Sequence, residues 1–398
     1  MTVSGVEKRF FPALLAVALV AMVVACGRVY GDGPGGDVVD GSADQGMATN
    51  ESASDAGSGA DTDADATAND GAAVTCSSAA PGCTGLVLAN VTGSPNSVTL
   101  LGDALYWSDH STKTIQRIPT QNGSVGSTAL TSAGGFPSRL TKLGGQLAWF
   151  ADSFAGTGTP PRKESADGDT LKTCSPVGNG CTTSSRSVIG TSAPASDGNG
   201  GIVFGTVDGT TAHAIRISDD FTITAVQDVT GSQPALVDTT YAVGPRLVWF
   251  TSTIVNICAF ADCPGTRATI ATLAGRPSAS AAGDSAVVWV SPPPSVTIKA
   301  ATGMPVGAVY PVDTLLTATD PVTAVLVDGN YVVFASAGNH GPGLYRCPMT
   351  GCNTTILPEL VARGGADSAR FIAADAHAFY WFVIDNSGLA FTVYRAPR

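Results

Sequence analysis

The sequence predicts an all-β fold: a seven-bladed β-propeller of four-stranded antiparallel blades, with an N-terminal strand closing the last blade. Three observations predict it. An apolar triplet ending in Trp or Phe recurs seven times, as Leu105-Tyr106-Trp107, Leu147-Ala148-Trp149, Ile202-Val203-Phe204, Leu247-Val248-Trp249, Val287-Val288-Trp289, Val332-Val333-Phe334 and Phe379-Tyr380-Trp381. The closing aromatics lie 42, 55, 45, 40, 45 and 47 residues apart, the period of small sheets that bury their faces against one another around a ring. Six of the triplets follow a proline, Pro95, Pro137, Pro194, Pro234, Pro277 or Pro321, by 10 to 15 residues, which suits the first residue of a strand, where a missing N–H breaks no ladder bond.

In chain order, residues 1–26 read as an export signal. Lys8 and Arg9 precede an apolar run from Phe10 to Val24, too short for a helix that spans a bilayer. The residues Val23-Val24-Ala25-Cys26 resemble the lipobox of bacterial lipoproteins, with Val where Leu is commoner. That resemblance implies removal of the peptide and lipidation of Cys26; the alternative is an ordinary secretory signal with Cys26 a passenger.

Residues 27–75 hold nine Asp and one Glu against Arg28 alone. Low hydrophobicity with one sign of charge cannot repay the entropy of ordering, so this stretch is expected to be a disordered acidic tether spanning on the order of 35–40 Å. Most of the chain's net charge of −11 sits there. Residues 76–398, the propeller, carry −3, with no basic stripe of the kind nucleic acid requires.

Nine cysteines leave one thiol over in an oxidising compartment. Setting Cys26 aside leaves four local pairs, Cys76/Cys83, Cys174/Cys181, Cys258/Cys263 and Cys347/Cys352, spaced to staple hairpins. Zinc is the rival reading, but structural zinc sites favour closer cysteines, and no His accompanies any pair.

Within a blade, a first strand such as Ser97-Val98-Thr99-Leu100-Leu101 leads through a turn such as Gly102-Asp103, Gly144-Gly145, Gly283-Asp284 or Asp328-Gly329-Asn330 into the apolar triplet. The aromatic that ends the triplet is expected to fill the space between adjacent blades. A third strand then carries a basic residue, Arg117, Arg216, Arg346 or Arg395, read as a solvated charge. Cysteine pairs come at the next turn in blades 2, 4 and 6, and Asn122-Gly123 takes that place in blade 1. The run Tyr106-Trp107-Ser108-Asp109, followed by Ile115 and Arg117, resembles one repeat of the YWTD receptor propellers, and the repeats resemble YWTD/NHL-type propellers more generally. The YWTD class has six blades, so its receptor function does not carry over to a count of seven. Blade 7 ends after three strands, and residues 85–93 precede Pro95 as 223–231 precede Pro234, which makes the N-terminal segment the missing outer strand.

No phosphate-binding loop, dinucleotide fingerprint, zinc-protease helix or nucleophile elbow occurs, so no catalytic residue, cofactor or metal is assigned. One rim constellation is a candidate. Asp109, His110, His340 and Asp385 fall in loops joining second to third strands of blades 1, 6 and 7, neighbours on the ring, where they could bind a metal or act as acid and base. The same rim carries the long insertion 151–170 and the stiff Ser291-Pro292-Pro293-Pro294. The function expected is a lipid-anchored binding or scaffolding module of the bacterial cell envelope, meeting a protein or saccharide ligand with a propeller face. Its membrane contact runs through the N-terminal lipid, at the outer membrane facing periplasm or cell surface, with no nucleic acid. The alternatives are a secreted propeller enzyme of lyase or lactonase type and a structural envelope component.

Overall fold

A computed structural model describes residues 85–121, 126–152, 169–190, 192, 194–208, 211–229, 239–292, 296–303, 311–318, 320–336, 342–353, 357–364, 369–385 and 390–398. The signal 1–26, the tether 27–75, Cys76 and Cys83, Asn122-Gly123, residues 153–168 of the rim insertion, Pro293-Pro294 and His340 lie outside the described residues.

The first strand, β1 (Leu86–Thr92), belongs to the last blade of the ring. Blade 1 is β2 (Pro95–Leu101), β3 (Ala104–Asp109), β4 (Thr114–Pro119) and β5 (Thr128–Ser132). In blade 2 the first strand is split into β6 (Phe136–Pro137) and β7 (Thr141–Leu143), followed by β8 (Gln146–Asp152), β9 (Asp169–Val177) and β10 (Gly180–Gly190). Blade 3 is β11 (Ala195–Ser196), β12 (Ile202–Asp208), β13 (Thr211–Ile217) and β14 (Ile223–Asp228). Blade 4 is β15 (Thr239–Val243), β16 (Arg246–Phe250), β17 (Ile254–Ala259), the one-turn helix α1 (Cys263–Thr266) and β18 (Ala268–Thr272). Blade 5 is β19 (Ala279–Ala282), β20 (Ala286–Val290), β21 (Val296–Thr302) and β22 (Val312–Ala318). Blade 6 is β23 (Val322–Asp328), β24 (Tyr331–Ser336), β25 (Gly343–Pro348) and β26 (Glu359–Arg363). Blade 7 is β27 (Ala369–Ala374), β28 (Ala378–Ile384) and β29 (Ala390–Pro397).

Each sheet is antiparallel in sequence order, and β1 pairs with β29 as the fourth strand of blade 7, from Leu86 opposite Arg395 to Thr92 opposite Ala390. The first strands touch in the order β2, β7, β11, β15, β19, β23, β27 and back to β2. They therefore form the inner wall of a closed seven-membered ring, as the period predicts. Because strands alternate in direction, loops joining second to third strands and fourth strands to the next blade share one rim, and the remaining turns share the other.

The core lies between blades. Second strands are covered on both faces, so β3, β16 and β20 are buried along their whole length, which is why they read as continuous apolar runs rather than as alternations. Trp107, Trp149, Trp249, Trp289, Trp381 and Phe204 are fully buried. Trp107 of blade 1 meets Phe382 and Phe391 of blade 7 edge-on at 5.8 and 5.6 Å. In two blades the indole also ties neighbours by a polar bond: Trp149 Nε1 donates to Ala133 O and Trp381 Nε1 to Gly364 O, both at 3.1 Å, each carbonyl lying just past the fourth strand of the preceding blade. The aromatic thus packs between sheets and, at Trp149 and Trp381, also hydrogen-bonds across them, whereas the indole N–H groups of Trp107 and Trp289 are buried without a partner.

Three of the four expected disulfides lie in the described residues. Cys174–Cys181, Cys258–Cys263 and Cys347–Cys352 have Cα atoms 5.8, 4.8 and 5.7 Å apart, the first joining third strand β9 to fourth strand β10 and the other two joining a third strand to the segment that leads into the fourth. In blade 4, α1 supplies the second cysteine, and Asp262 caps it by accepting from Gly265 N at 2.9 Å.

The third-strand basic residues depart from expectation. Rather than facing water alone, three of them are paired. Arg216 donates to buried Asp197 at 2.7 Å, Arg346 grips Glu359 across the β25–β26 pair at 2.8 and 3.0 Å, and Arg117 reaches Gly178 O and Asn179 Oδ1 of blade 2 at 3.3 Å. Their carboxylate and carbonyl partners sit in other strands or turns, so linear spacing does not reveal them.

Candidate functional site: the rim and the channel

On the rim carrying the second-to-third loops, Asp109 ends β3 and is 1% exposed. Its Oδ1 accepts from Ser94 N (3.3 Å), Ser111 N (2.9 Å), Ser111 Oγ (2.7 Å) and Thr112 N (3.1 Å), pinning its own loop to the crossing from blade 7. Its Oδ2 is buried against Gly93, where any side chain would collide with it. His110 turns toward blade 2, its ring 4.5 Å from that of Phe136. Lys113 Nζ stands 4.2 Å over the same ring, on a loop turned by a positive φ of 55° at Lys113. Asp385 follows β28 and accepts from Ala390 N at 3.3 Å. Of the expected constellation, then, Asp109 is engaged in turn structure, His110 leans on blade 2, Asp385 holds the loop of blade 7, and His340 is outside the described residues. Among the described residues no three His, Cys, Asp or Glu side chains gather as a metal site.

The opposite rim is built from carboxylate-braced turns. Asp197 accepts from Asn199 N and Gly201 N at 2.8 Å while bound to Arg216. Asp375 accepts from His377 N (2.7 Å), Ala378 N (2.8 Å) and the Tyr380 hydroxyl (2.8 Å). Burial by itself would raise the Asp375 carboxyl, but these three donors outweigh it and hold the group below its ordinary value. Burial and the neighbouring Asp375 together push the Tyr380 phenol up. Arg398 closes the chain on this rim by pairing with Asp328 and donating to Asp375 O at 2.7 Å.

The first strands place polar groups around the channel. In blades 1, 6 and 7 the second residue of the first strand is an unpaired bulge: Asn96, Thr323 and Arg370 respectively. Asn96 Nδ2 donates to Pro137 O of the next blade at 3.0 Å. Ser138 and Ser192 hold the corresponding place in blades 2 and 3, where their hydroxyls accept from Phe150 N (2.9 Å) and Gly205 N (2.6 Å) of the second strand. Between β6 and β7, half-buried Arg139 reaches past blade 3 to blade 4. Its Nη1 donates to the Tyr241 hydroxyl at 3.3 Å, and its guanidinium carbon lies 5.5 Å from that ring's centre. Tyr241, 4% exposed, donates in turn to Ser280 O of blade 5 at 2.9 Å. Sequence reasoning missed this bridge. The one available signal was a guanidinium two residues after Pro137, where the other prolines are followed at the same distance by Ser97, Ser196, Leu236, Ala279 and Thr323.

The fold is shared with proteins of distant sequence. A prolyl endopeptidase structure aligns at a TM-score of 0.51 with 14% identity, over 78% of this chain and 47% of that one. The β-propeller domain of the Trilobed protease from Pyrococcus furiosus aligns at 0.46 with 7% identity, over 76% of this chain and 94% of that one. The WD40 domain of Neurospora crassa Pan2 aligns at 0.48 with 7% identity, over 78% and 95%. No family model and no curated protein matches the sequence. At these identities the likeness is one of fold.

Proposed function

We propose that the protein is a lipid-anchored binding or scaffolding module of the bacterial cell envelope, in which the tether of residues 27–75 carries a propeller that meets a protein or saccharide ligand. The cysteine inventory carries this reading. Three local pairs close as disulfides within single hairpins, so local pairing accounts for cysteines two at a time, and Cys26, the ninth, has no neighbour in sequence with which to pair. Its place after Val23-Val24-Ala25 gives it the other role, as the lipidated N-terminus. A binding rather than catalytic module is supported by how Asp197 and Asp375 are used: both accept from turn N–H groups, and Arg216 and the Tyr380 hydroxyl take their second oxygens, the bonding of structural rather than reactive carboxylates. Asp109 differs, its Oδ1 taking four donors while its Oδ2 is buried without a hydrogen bond.

The test is fractionation of the full chain and of Cys26→Ala in a bacterial host, with mass analysis of the N-terminal peptide. The reading expects a diacylated peptide beginning at Cys26, and loss of membrane association in the variant. A Cys26→Ala protein that still sediments with membranes overturns the anchor.

A further inference from the structure

We propose that the central channel is an anion site centred on Arg139, taking a small ligand through a carboxylate group. The proposal deepens the binding-module reading by naming a ligand class, and it rests on that reading only in treating the propeller as a binder.

The geometry of Arg139 is the first support. A bond between the first strands of blades 2 and 4 must pass in front of blade 3, whose own first strand, β11, is only Ala195–Ser196. Tyr241 holds Arg139 in place through its oxygen and ring, and Tyr241 is itself fixed by Ser280 O at 2.9 Å. One N–H of the guanidinium is thereby engaged, by a long 3.3 Å bond. No carboxylate among the described residues pairs with Arg139. A half-buried guanidinium gives up hydration that a carboxylate would return through two parallel N–H···O bonds, for which the planar fork is shaped.

The charge distribution is the second support. The chain carries −11 overall, yet the described first strands and the β6–β7 junction hold three cations, Arg139, Lys142 and Arg370, of which the last two are exposed. Against them stands one carboxylate, Asp328, at the far end of β23 and already bound to Arg398. Three cations against one paired carboxylate give the described first strands a positive balance, which favours an anion over a cation near Arg139.

The experiment is calorimetric titration of the full-length protein at low ionic strength with galacturonate, citrate, inorganic phosphate and, as a neutral control, galactose. Galacturonate or citrate is expected to bind, galactose not, and Arg139→Gln to weaken carboxylate binding at least about tenfold. Arg139→Lys, which keeps the charge and loses the fork, should fall between. Arg346→Gln, on an outer hairpin with its partner Glu359, should bind as the parent does. The proposal is overturned if the parent binds no carboxylate, if phosphate alone binds, or if Arg139→Lys and a folded Arg139→Gln, judged by near-ultraviolet circular dichroism, match the parent. Cys26 plays no part in this readout, so failure here leaves the lipid anchor standing, and failure of the anchor leaves the channel.

Discussion

Blades 7 and 3 perform the same task with different materials. Blade 7 has a six-residue first strand, a Trp bonded to the carbonyl of the blade before it, a stacked Trp381–Tyr394 pair with ring centres 5.3 Å apart, and a fourth strand brought from the other end of the chain. Blade 3 has a two-residue first strand and Phe204 in place of Trp, so its aromatic has no N–H to give. It holds its first turn instead with the buried Asp197–Arg216 pair. What the two share is burial: Phe204 and Trp381 are both fully enclosed between sheets. The ring therefore depends on apolar stacking of blades, while polar devices inside each blade are interchangeable.

The largest effect expected is at closure. Starting the chain at residue 94 removes β1 with buried Leu88, Ala89 and Val91, costing several kcal/mol at roughly 1 kcal/mol per ladder bond and about 25 cal/mol per Å² of apolar burial. Starting it at residue 76 is expected to leave the thermal midpoint unchanged. Equal midpoints for the two shortened chains would count against the closure.

Next come the aromatics. Phe204→Ala and Trp381→Ala should each cost about 3–5 kcal/mol in denaturant unfolding. The tryptophan should lose roughly 1 kcal/mol more for its N–H···O bond. A much smaller loss at Phe204 would show that blade 3 is held by its ion pair rather than by stacking.

Asp197→Asn removes the charge facing Arg216 while keeping an oxygen for the turn, for an expected loss of about 1–3 kcal/mol. The corresponding change at the half-exposed Glu359 opposite Arg346 should cost under about 1 kcal/mol. The order of the two, measured by urea midpoints, separates buried from surface pairing.

The smallest effect is at Asp375. Its folded value lies below the ordinary one, so its contribution is present above about pH 4 and is lost as pH falls through the folded value. Partial exposure reduces it to a fraction of a kcal/mol. Asp375→Asn should flatten the acid limb of the stability profile between about pH 5 and 2, and an unchanged limb would remove Asp375 as its source.

The fold was legible because its determinants are local and repeated. Leu105-Tyr106-Trp107 and its six counterparts mark the doubly covered second strands, and Pro95, Pro137, Pro194, Pro277 and Pro321 stand within or just before the first strands. Cysteines five or seven residues apart suit hairpin staples, and three pairs close as such. Blade 3 was legible as a blade but not in its truncation, for which the one hint is Pro194 standing 10 residues before Phe204 rather than 12. The partners of Arg216, Arg117 and above all Arg139 were not legible. Tyr241 lies 102 residues from Arg139, and no spacing in one sequence announces a contact made through the middle of a ring. Where His110 turns was not legible for the same reason: a loop's order along the chain does not give its direction, and Phe136 of the next blade is what its ring meets.

The join between β1 and β29 also sets a clock. The Thr392 hydroxyl donates to Asn90 across 302 residues, so the first of the described strands to be made is the last of them to find its partner. At a synthesis rate of about 5–20 residues per second, that interval is roughly 15–60 s. Throughout it, β1 is an unpaired edge bearing Leu86, Val87 and Leu88, the kind of segment that joins a neighbouring chain if left alone. A protein closed this way acquires its native topology only after its C-terminal blade is available, which makes ring closure the slow, long-range step of its folding and its first strand the segment most in need of shielding.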